Sequence, residues 1–138
     1  MEFNPATQYD QCGLMIRIDK DNWIKVSCEF ENENISRLGS VVTNLGFSDW
    51  ASQDIPSSHR MMYYRVSKRG ADFLAEASYD GDNWFQLRIA HLHALDKKVG
   101  GDDKNGIEAG LYTCSPIGEN FYTRTHFLEF NDNKWTSH

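Results

Sequence analysis

Apolar and polar residues alternate with a period of two along most of the chain, which is typical of half-buried β-strands. In the clearest run, residues 22–30, every second residue is apolar and its neighbours are polar or aromatic. The apolar set comprises Ile24, Val26, Cys28 and Phe30. The pattern predicts eight strands, over residues 12–18, 22–30, 37–43, 60–67, 71–79, 84–90, 107–113 and 121–130.

Short polar turns separate several of these runs, and the strongest is Asp80-Gly81, a hairpin signal. Strands at this spacing with short turns predict an antiparallel sandwich or barrel. Two connections are long, residues 45–58 and residues 91–105, and long loops in compact domains often carry function. For residues 90–98 a helix is the alternative, because Leu92 and Leu95 are three positions apart.

Length and composition indicate one folded domain. The chain has 138 residues, which suits one domain with a real core, and no linker or repeat divides it. We therefore predict a single domain over residues 1–138. Aromatic residues make up 13% of the chain, which argues against disorder.

The charge balance and cysteine content restrict partners and compartment. The net charge of −6 disfavours a nucleic-acid surface, and no apolar stretch is long enough for a membrane helix. The first five residues lack the positive start and apolar run of a signal peptide. Cys12, Cys28 and Cys114 are far apart and form no CxxC pair, so we expect reduced thiols in a cytoplasmic protein.

Several strings of the sequence, taken in order, resemble one family. They are Tyr9-Asp10-Gln11-Cys12-Gly13-Leu14-Met15-Ile16-Arg17, Asn22-Trp23-Ile24-Lys25, Ser40-Val41-Val42-Thr43-Asn44, Ser48-Asp49-Trp50, Ser78-Tyr79-Asp80-Gly81-Asp82-Asn83-Trp84 and Gly110-Leu111-Tyr112. Together they resemble the concanavalin A-like domain-of-unknown-function family that includes the yeast "regulation of enolase" protein. The resemblance implies an all-β, antiparallel concanavalin A-like jelly-roll sandwich and, through the family name, a metabolic-enzyme partner such as enolase.

The family's usual domain carries further strands ahead of the Tyr9-Asp10-Gln11 segment, where this sequence has only residues 1–8. The fold is therefore expected to be shortened at its N-terminus. A shortened relative, a sheet completed by another chain, and strands lying outside this sequence are the alternatives. Unpaired sheet edges attract other strands, so a homodimer or reduced solubility is expected if nothing replaces the missing strands.

The polar faces of three predicted strands form the first candidate site. Alternation places Gln11 with Arg17, then Trp23 with Lys25 and Glu29, and then Trp84 with Gln86 and Arg88. If these faces coincide, they form a groove in which sugar rings stack on tryptophan and hydroxyls bond polar side chains. The alternative is the solvated side of an ordinary antiparallel sheet.

Two shorter motifs each allow a structural explanation. Asp49 and Trp50, in the long connection, suit a groove mouth, or else anchor and cap the loop. The run from Ser78 to Trp84 resembles hairpins of carbohydrate-active proteins, but local turn chemistry explains it. In that explanation Asp80 bonds turn amides, Gly81 takes a positive φ and Trp84 covers the hairpin.

Signals for catalysis and for metal binding are weak. Glycoside hydrolysis needs two carboxylates flanking the bond, and the ExDxxE string of laminarinase-like enzymes is absent. His91 and His93 could share a strand face, but a third metal ligand is not evident. The acidic run at residues 102–105 has the oxygen donors of a calcium site, but it also has the composition of a solvated turn. We therefore predict no catalytic residues, no metal and no cofactor.

The sequence thus predicts a non-catalytic cytoplasmic protein that binds a carbohydrate-like or small polar ligand on a concave sheet face. The alternatives are a regulatory protein-interaction module acting on a metabolic enzyme such as enolase, and a weak glycoside hydrolase. Neither nucleic acid nor membrane is an expected partner. The predicted ligand-binding residues are Arg17, Trp23, Lys25, Glu29, Asp49, Trp50, Trp84 and Arg88.

Overall fold

The computed structural model describes residues 1–136, which contain ten strands and two short 3₁₀ helices. The strands are β1 (Glu2–Asn4), β2 (Gln11–Asp19), β3 (Asn22–Phe30), β4 (Ile35–Asn44), β5 (Phe47–Pro56), β6 (Tyr63–Arg69), β7 (Asp72–Ser78), β8 (Trp84–His91), β9 (Glu108–Cys114) and β10 (Tyr122–Arg124). All pairings are antiparallel. A five-stranded sheet has the order β5-β4-β3-β2-β9, a three-stranded sheet the order β6-β7-β8, and β1 pairs with β10.

The two larger sheets pack face to face over two apolar clusters, which makes the fold the expected all-β antiparallel sandwich. The first cluster joins Cys12, Cys28 and Leu38 of one sheet to Ala77 of the other. The second likewise joins one sheet to the other; its buried members are Ile24, Val26, Val42, Phe73, Ala75, Ala90, Leu92 and Leu95. The apolar alternation of residues 22–30 therefore marks the core-facing side of β3, as predicted.

Strand β5 is the main element that the sequence pattern missed, because residues 45–58 were expected to be a loop. Apart from Ile55, every residue of β5 is exposed. An edge strand with both faces in water has no apolar face to bury, so it shows no alternation. The predicted strand over residues 121–130 is also wrong beyond its start, since only Tyr122–Arg124 pairs, and it pairs with the unpredicted β1.

The long connection after β8 is a loop that two buried leucines anchor, rather than the alternative helix over residues 90–98. It contains the 3₁₀ helices His93–Leu95 and Lys97–Val99. Leu92 and Leu95 are almost fully buried. No helix in residues 1–136 is long and apolar enough to cross a membrane.

Two of the three cysteines lie inside the sandwich. Cys12 and Cys28 are direct partners across β2 and β3, and burial raises the pKa of each thiol to about 12. Cys114, at the end of β9, is half-buried. None of the three forms a disulfide.

Labelling with a disulfide reagent at pH 8 is expected to modify one thiol per native chain quickly. Thiolates are the reactive form, and buried thiols with a pKa near 12 are protonated at this pH. Absorbance counting of released thiolate, before and after adding urea, checks this. Fast modification of two or three thiols in the native protein would contradict the buried placement of Cys12 and Cys28.

Candidate binding face

One face of the five-stranded sheet points away from the core, and we call it the front face. Directly opposed residues of antiparallel strands share a face, so the register defines its rows. The central row begins with Tyr112 on β9 and continues with the small residues Gly13, Ser27, Gly39 and Ser52, on β2, β3, β4 and β5. These small residues make the floor of a trough that runs across the strands.

Larger side chains border the floor on both sides. One border consists of Gln11, Glu29, Arg37 and Asp54. The other consists of Met15, Lys25, Val41 and Trp50. On each strand the two border residues are four positions apart, so their Cα atoms are about 13 Å from each other. Beyond the second border, Arg17 lies opposite Trp23.

The two glycines of the floor occupy positions where backbones approach closely. A Cβ on Gly13 would lie 1.8 Å from the carbonyl oxygen of Val26, and one on Gly39 would lie 2.3 Å from that of Ala51. Neither position accepts a side chain without moving the neighbouring strand. Close strand approach therefore keeps the trough floor bare.

The hairpin between β2 and β3 fixes the register of these rows. A side-chain oxygen of Asp19 accepts hydrogen bonds from the amide of Asp21, at 2.8 Å, and from the side chain of Asn22, at 3.0 Å. These bonds hold the pKa of the Asp19 carboxyl below its usual value. The turn is therefore locked, and Trp23 and Arg17 meet on the front face.

A polar cluster closes one half of the trough. The buried Gln11 amide donates to Glu29 at 2.8 Å and to the Tyr9 carbonyl at 3.1 Å. Its oxygen accepts from Lys25 Nζ at 2.5 Å and from the Tyr112 hydroxyl at 3.1 Å. The Lys25 ammonium also lies 5.0 Å from the centre of the Tyr112 ring. Lys25 therefore reaches past the buried Ser27 toward β2 and β9, where Gln11 and Tyr112 lie.

Partial burial changes the pKa of the two oppositely charged groups beside Gln11, Lys25 and Glu29. It lowers the pKa of Lys25, because desolvation disfavours the ammonium. It raises the pKa of Glu29 for the same reason, although Lys25 opposes that shift. The closed end of the trough thus holds a cation and an anion that both lack full hydration.

The other half of the trough, over β4 and β5, is open. Trp50 is 78% exposed and stands on its border beside Val41. On the opposite border Arg37 lies 3.9 Å from Asp54 and 3.8 Å from Glu31, distances that leave its guanidinium loosely paired. An exposed aromatic plane across the floor from exposed charged groups can stack a ring and bond its substituents.

Five of the eight predicted residues lie on the front face, namely Arg17, Trp23, Lys25, Glu29 and Trp50. Asp49 belongs to the other face of β5, as strand alternation requires. Its motif lies in a strand and not in the loop that was predicted for residues 45–58.

Trp84 and Arg88 lie elsewhere, and the prediction that Arg88 shares a face with Trp84 and Gln86 is wrong. The register between β7 and β8 shifts between Gln86 and Arg88, so Leu87 is an extra residue, a β-bulge. Beyond the bulge Arg88 opposes the buried Ala75 and points between the sheets, where it lies 3.6 Å from Asp49. The expected groove lined by Trp23 and Arg88 therefore does not form.

Trp84 lies on the outer side of the three-stranded sheet, opposite the front face across the sandwich. The guanidinium of Arg65 covers its ring at 4.2 Å and bonds Glu76 at 2.8 Å. The preceding turn is built as predicted: the Asp80 carboxylate accepts from the amides of Asp82 and Asn83 at 2.8 Å. These bonds hold the pKa of Asp80 far below its usual range.

Sequence reasoning missed the residues that shape the open half of the trough. They are Arg37, Gly39, Val41, Ser52 and Asp54. Three of them lie on β4 and two on β5. Because β5 was predicted to be a loop, nothing in the sequence pattern indicated that β4 pairs with the strand that carries Trp50. The distance between Trp50 and Arg37 along the chain also hides that they border the same trough.

His91, one of the two histidines considered as metal ligands, has other partners. His91 Nδ1 lies 2.7 Å from Asp72 and Nε2 lies 3.1 Å from Asp96, so carboxylates occupy both ring nitrogens. Across residues 1–136, no group of three or more histidine, cysteine or acidic side chains is arranged to hold a metal ion.

Comparisons with known proteins identify a matching family and a yeast relative. It matches the family described as "Protein of unknown function (DUF1349)" over residues 1–133. It is 33% identical over 88 residues to "Regulation of enolase protein 1" of Saccharomyces cerevisiae, an alignment that covers 64% of this chain and 43% of that protein.

Solved structures agree on the fold. A functionally unknown protein from Saccharomyces cerevisiae superposes with a TM-score of 0.69 at 26% identity, over 83% of this chain and 56% of that one. The GH43 protein BlXynB from Bacillus licheniformis superposes with a TM-score of 0.65 at 16% identity, over 81% of this chain and 22% of that one. The chain thus spans about half the length of the yeast relatives it matches.

Proposed function

The chain belongs to the family of unknown function DUF1349, and from its geometry we propose that it is a non-catalytic protein that binds a carbohydrate-like ligand on the front face. The observation that carries the proposal is the trough. Its bare floor of Gly39 and Ser52 lies between the exposed Trp50 on one border and Arg37 and Asp54 on the other.

The chemistry of sugars matches this arrangement. A pyranose ring has an apolar face of C–H groups that stacks on an aromatic plane, and its hydroxyls bond charged and amide side chains. Trp50 supplies the plane, while Arg37 and Asp54 supply a donor and an acceptor on the far side of the floor. The trough opens at β5, an edge strand, so an extended ligand can continue past it.

A second candidate function is regulation of a metabolic enzyme such as enolase. The observation that favours it is the 33% identity to the protein named "Regulation of enolase protein 1". An exposed tryptophan bordered by arginine and acidic groups also suits a protein interface, where tryptophan and arginine are enriched. The three unpaired cysteines support a reducing, cytoplasmic setting for either function.

A glycan array probed with the labelled chain, followed by fluorescence titration of its hits, tests the first proposal. We expect the wild type to bind a defined set of glycans and Trp50→Ala to lose at least about tenfold in affinity, as for a central aromatic anchor. Trp50 is exposed, so its removal should leave the fold intact.

Phe47→Ala is the matched control. Phe47 lies on the same strand, is 82% exposed and belongs to the other face, so its loss should leave glycan affinity unchanged. Immobilised enolase serves as a further probe for the second candidate. Binding to enolase without retention of any glycan would overturn the carbohydrate proposal and favour the regulatory one. Equal losses of affinity in Trp50→Ala and Phe47→Ala would show that neither function uses the front face.

A further inference from the structure

Strand β5 has a free edge that lacks the usual protection against pairing. Among residues 1–136 it pairs with β4 alone, and that ladder runs from Phe47 to Pro56 without a bulge. Natural proteins block exposed edges with lysines, prolines or bulges, because unpaired amide and carbonyl groups attract another strand. The ten residues of β5 contain no lysine or arginine, and the one proline is the last residue. The edge is therefore open to a further strand along nearly its whole length.

Exposed apolar side chains make pairing at this edge more favourable. Phe47 and Trp50 are both strongly exposed and lie on opposite faces of β5. On the side opposite the front face, here called the back face, Leu38 and Val42 of β4 are buried, whereas β5 stays in water apart from Ile55. The three-stranded sheet therefore ends beneath β4. A strand added beside β5 would gain ladder hydrogen bonds and cover apolar surface at the same time.

The acidic groups on β5 permit a second copy of the chain to be that strand. Asp49 lies 3.6 Å from Arg88, and Asp54 lies 3.9 Å from Arg37, so each carboxylate faces a cation of its own chain. The two aspartates lie on opposite faces of β5. When two copies pair with their front faces on the same side, Asp49 of one copy therefore cannot oppose Asp54 of the other.

Symmetry leaves few registers for such a pair. A twofold axis perpendicular to the sheet keeps both front faces on one side, and opposed residues then come from the same face. The axis must therefore pass through a residue and not between two residues. An axis at Ala51 pairs residues 47–55, and an axis at Ser52 pairs residues 48–56. Any other centre pairs a shorter part of β5.

The register centred on Ala51 is self-complementary. Its opposed pairs are Phe47 with Ile55, Ser48 with Asp54, Asp49 with Gln53, Trp50 with Ser52, and Ala51 with itself. An apolar side chain meets an apolar one, and each carboxylate meets a hydroxyl or amide that can donate to it. No like charges are opposed in this register.

The register centred on Ser52 is worse at both ends. It places the Asp49 carboxylate opposite the apolar Ile55. It also brings Pro56, which has no amide hydrogen, into the ladder opposite Ser48. The sequence of β5 thus favours the axis at Ala51.

We propose that two copies of the chain pair antiparallel through β5 about a twofold axis at Ala51, which joins their five-stranded sheets into one continuous sheet. The two Trp50 residues are then diagonal neighbours, with Cα atoms about 7 to 8 Å apart, at the centre of the joint front face. The inference does not depend on the carbohydrate function, because the floor and borders of each trough belong to one chain.

Sedimentation equilibrium over a dilution series tests the proposal. The wild type should show a monomer–dimer equilibrium that reaches twice the mass of one chain. Ala51→Lys should raise the dimer dissociation constant at least about tenfold, because two ammonium groups would oppose each other at the axis. Ser48→Lys is the matched control: it puts the same charge on the same strand, but opposite Asp54 of the second copy, so the dimer should persist. Both substituted residues are exposed, so the fold should remain intact.

Cysteine crosslinking tests the register separately. With oxidised glutathione as oxidant, Ala51→Cys should form a disulfide-linked dimer, because its thiols meet at the axis. Gln53→Cys should not, since its two Cα atoms would be about 13 Å apart. The wild type gives the background from Cys114.

Three results would overturn the β5 dimer. The first is a wild type that stays monomeric throughout the series, which would leave the edge to a strand of another protein. The second is equal weakening of the dimer by Ala51→Lys and Ser48→Lys. The third is crosslinking of Gln53→Cys as readily as of Ala51→Cys.

Discussion

Replacing Gly13 with alanine is expected to lower the free energy of unfolding by at least about 3 kcal/mol. The added Cβ would lie 1.8 Å from the Val26 carbonyl oxygen and 2.8 Å from the Ser27 Cα, and both atoms belong to the backbone of the central strand β3. Backbone atoms in the middle of a five-stranded sheet cannot move aside without breaking ladder hydrogen bonds. Urea unfolding followed by tryptophan fluorescence measures the loss.

Gly110→Ala is the control for Gly13→Ala. Gly110 lies on β9 in the same sheet, and a Cβ there would meet no atom within 4 Å. Its replacement should change stability by less than about 1 kcal/mol and is expected to be neutral or stabilising, because alanine restricts the unfolded chain more than glycine does. Equal urea midpoints for the two variants would contradict the close approach of β2 and β3 at Gly13.

Asp10→Ala is expected to destabilise the fold by roughly 3 to 5 kcal/mol. Asp10 is fully buried, and its carboxylate accepts hydrogen bonds from the amides of Ala6 and Thr7, at 2.7 and 2.8 Å, and from the Ser115 hydroxyl. Truncation would leave those donors without their acceptor and remove the link between the N-terminal segment and the end of β9. Thermal or urea unfolding measures the change.

Two further variants show whether the carboxylate itself is responsible. Asp10→Asn keeps the shape and one acceptor oxygen, so we expect about half of the loss seen with alanine. Asp82→Ala removes an exposed aspartate in the β7–β8 turn and should change stability by less than about 0.5 kcal/mol. If Asp10→Ala were as mild as Asp82→Ala, the buried hydrogen bonds of Asp10 would not stabilise the fold.

The strands that bury one face could be predicted from the sequence, and those that bury neither could not. Residues 22–30 give the bounds of β3 because the core selects apolar side chains at every second position. Strand β5 escapes the same reasoning, since water surrounds both of its faces and only Ile55 enters the core. Its strand structure comes from ten paired positions with β4, a non-local property.

Part of the candidate site followed from the sequence for the same reason. Within one strand or one hairpin, alternation brings Trp23, Lys25, Glu29 and Arg17 together, and the short Asp19 turn fixes their register. Trp50 was predicted from its position beside Asp49 in an expected loop, and the strand that carries it was missed. The grouping of Trp84 with Arg88 failed because a single inserted residue reverses every later side chain, and no local pattern announces the insertion.

The bulge at Leu87 also affects how rigidly strand β5 holds Trp50 on the front face. Within residues 1–136, strand β5 is an edge strand that pairs with β4 alone, and an edge held on one side opens more readily than the centre of a sheet. By turning Arg88 inward, the bulge lets its guanidinium reach the Asp49 carbonyl at 3.3 Å from behind the strand. One additional residue in the three-stranded sheet thus acts as a brace on the other sheet and stiffens the support under Trp50.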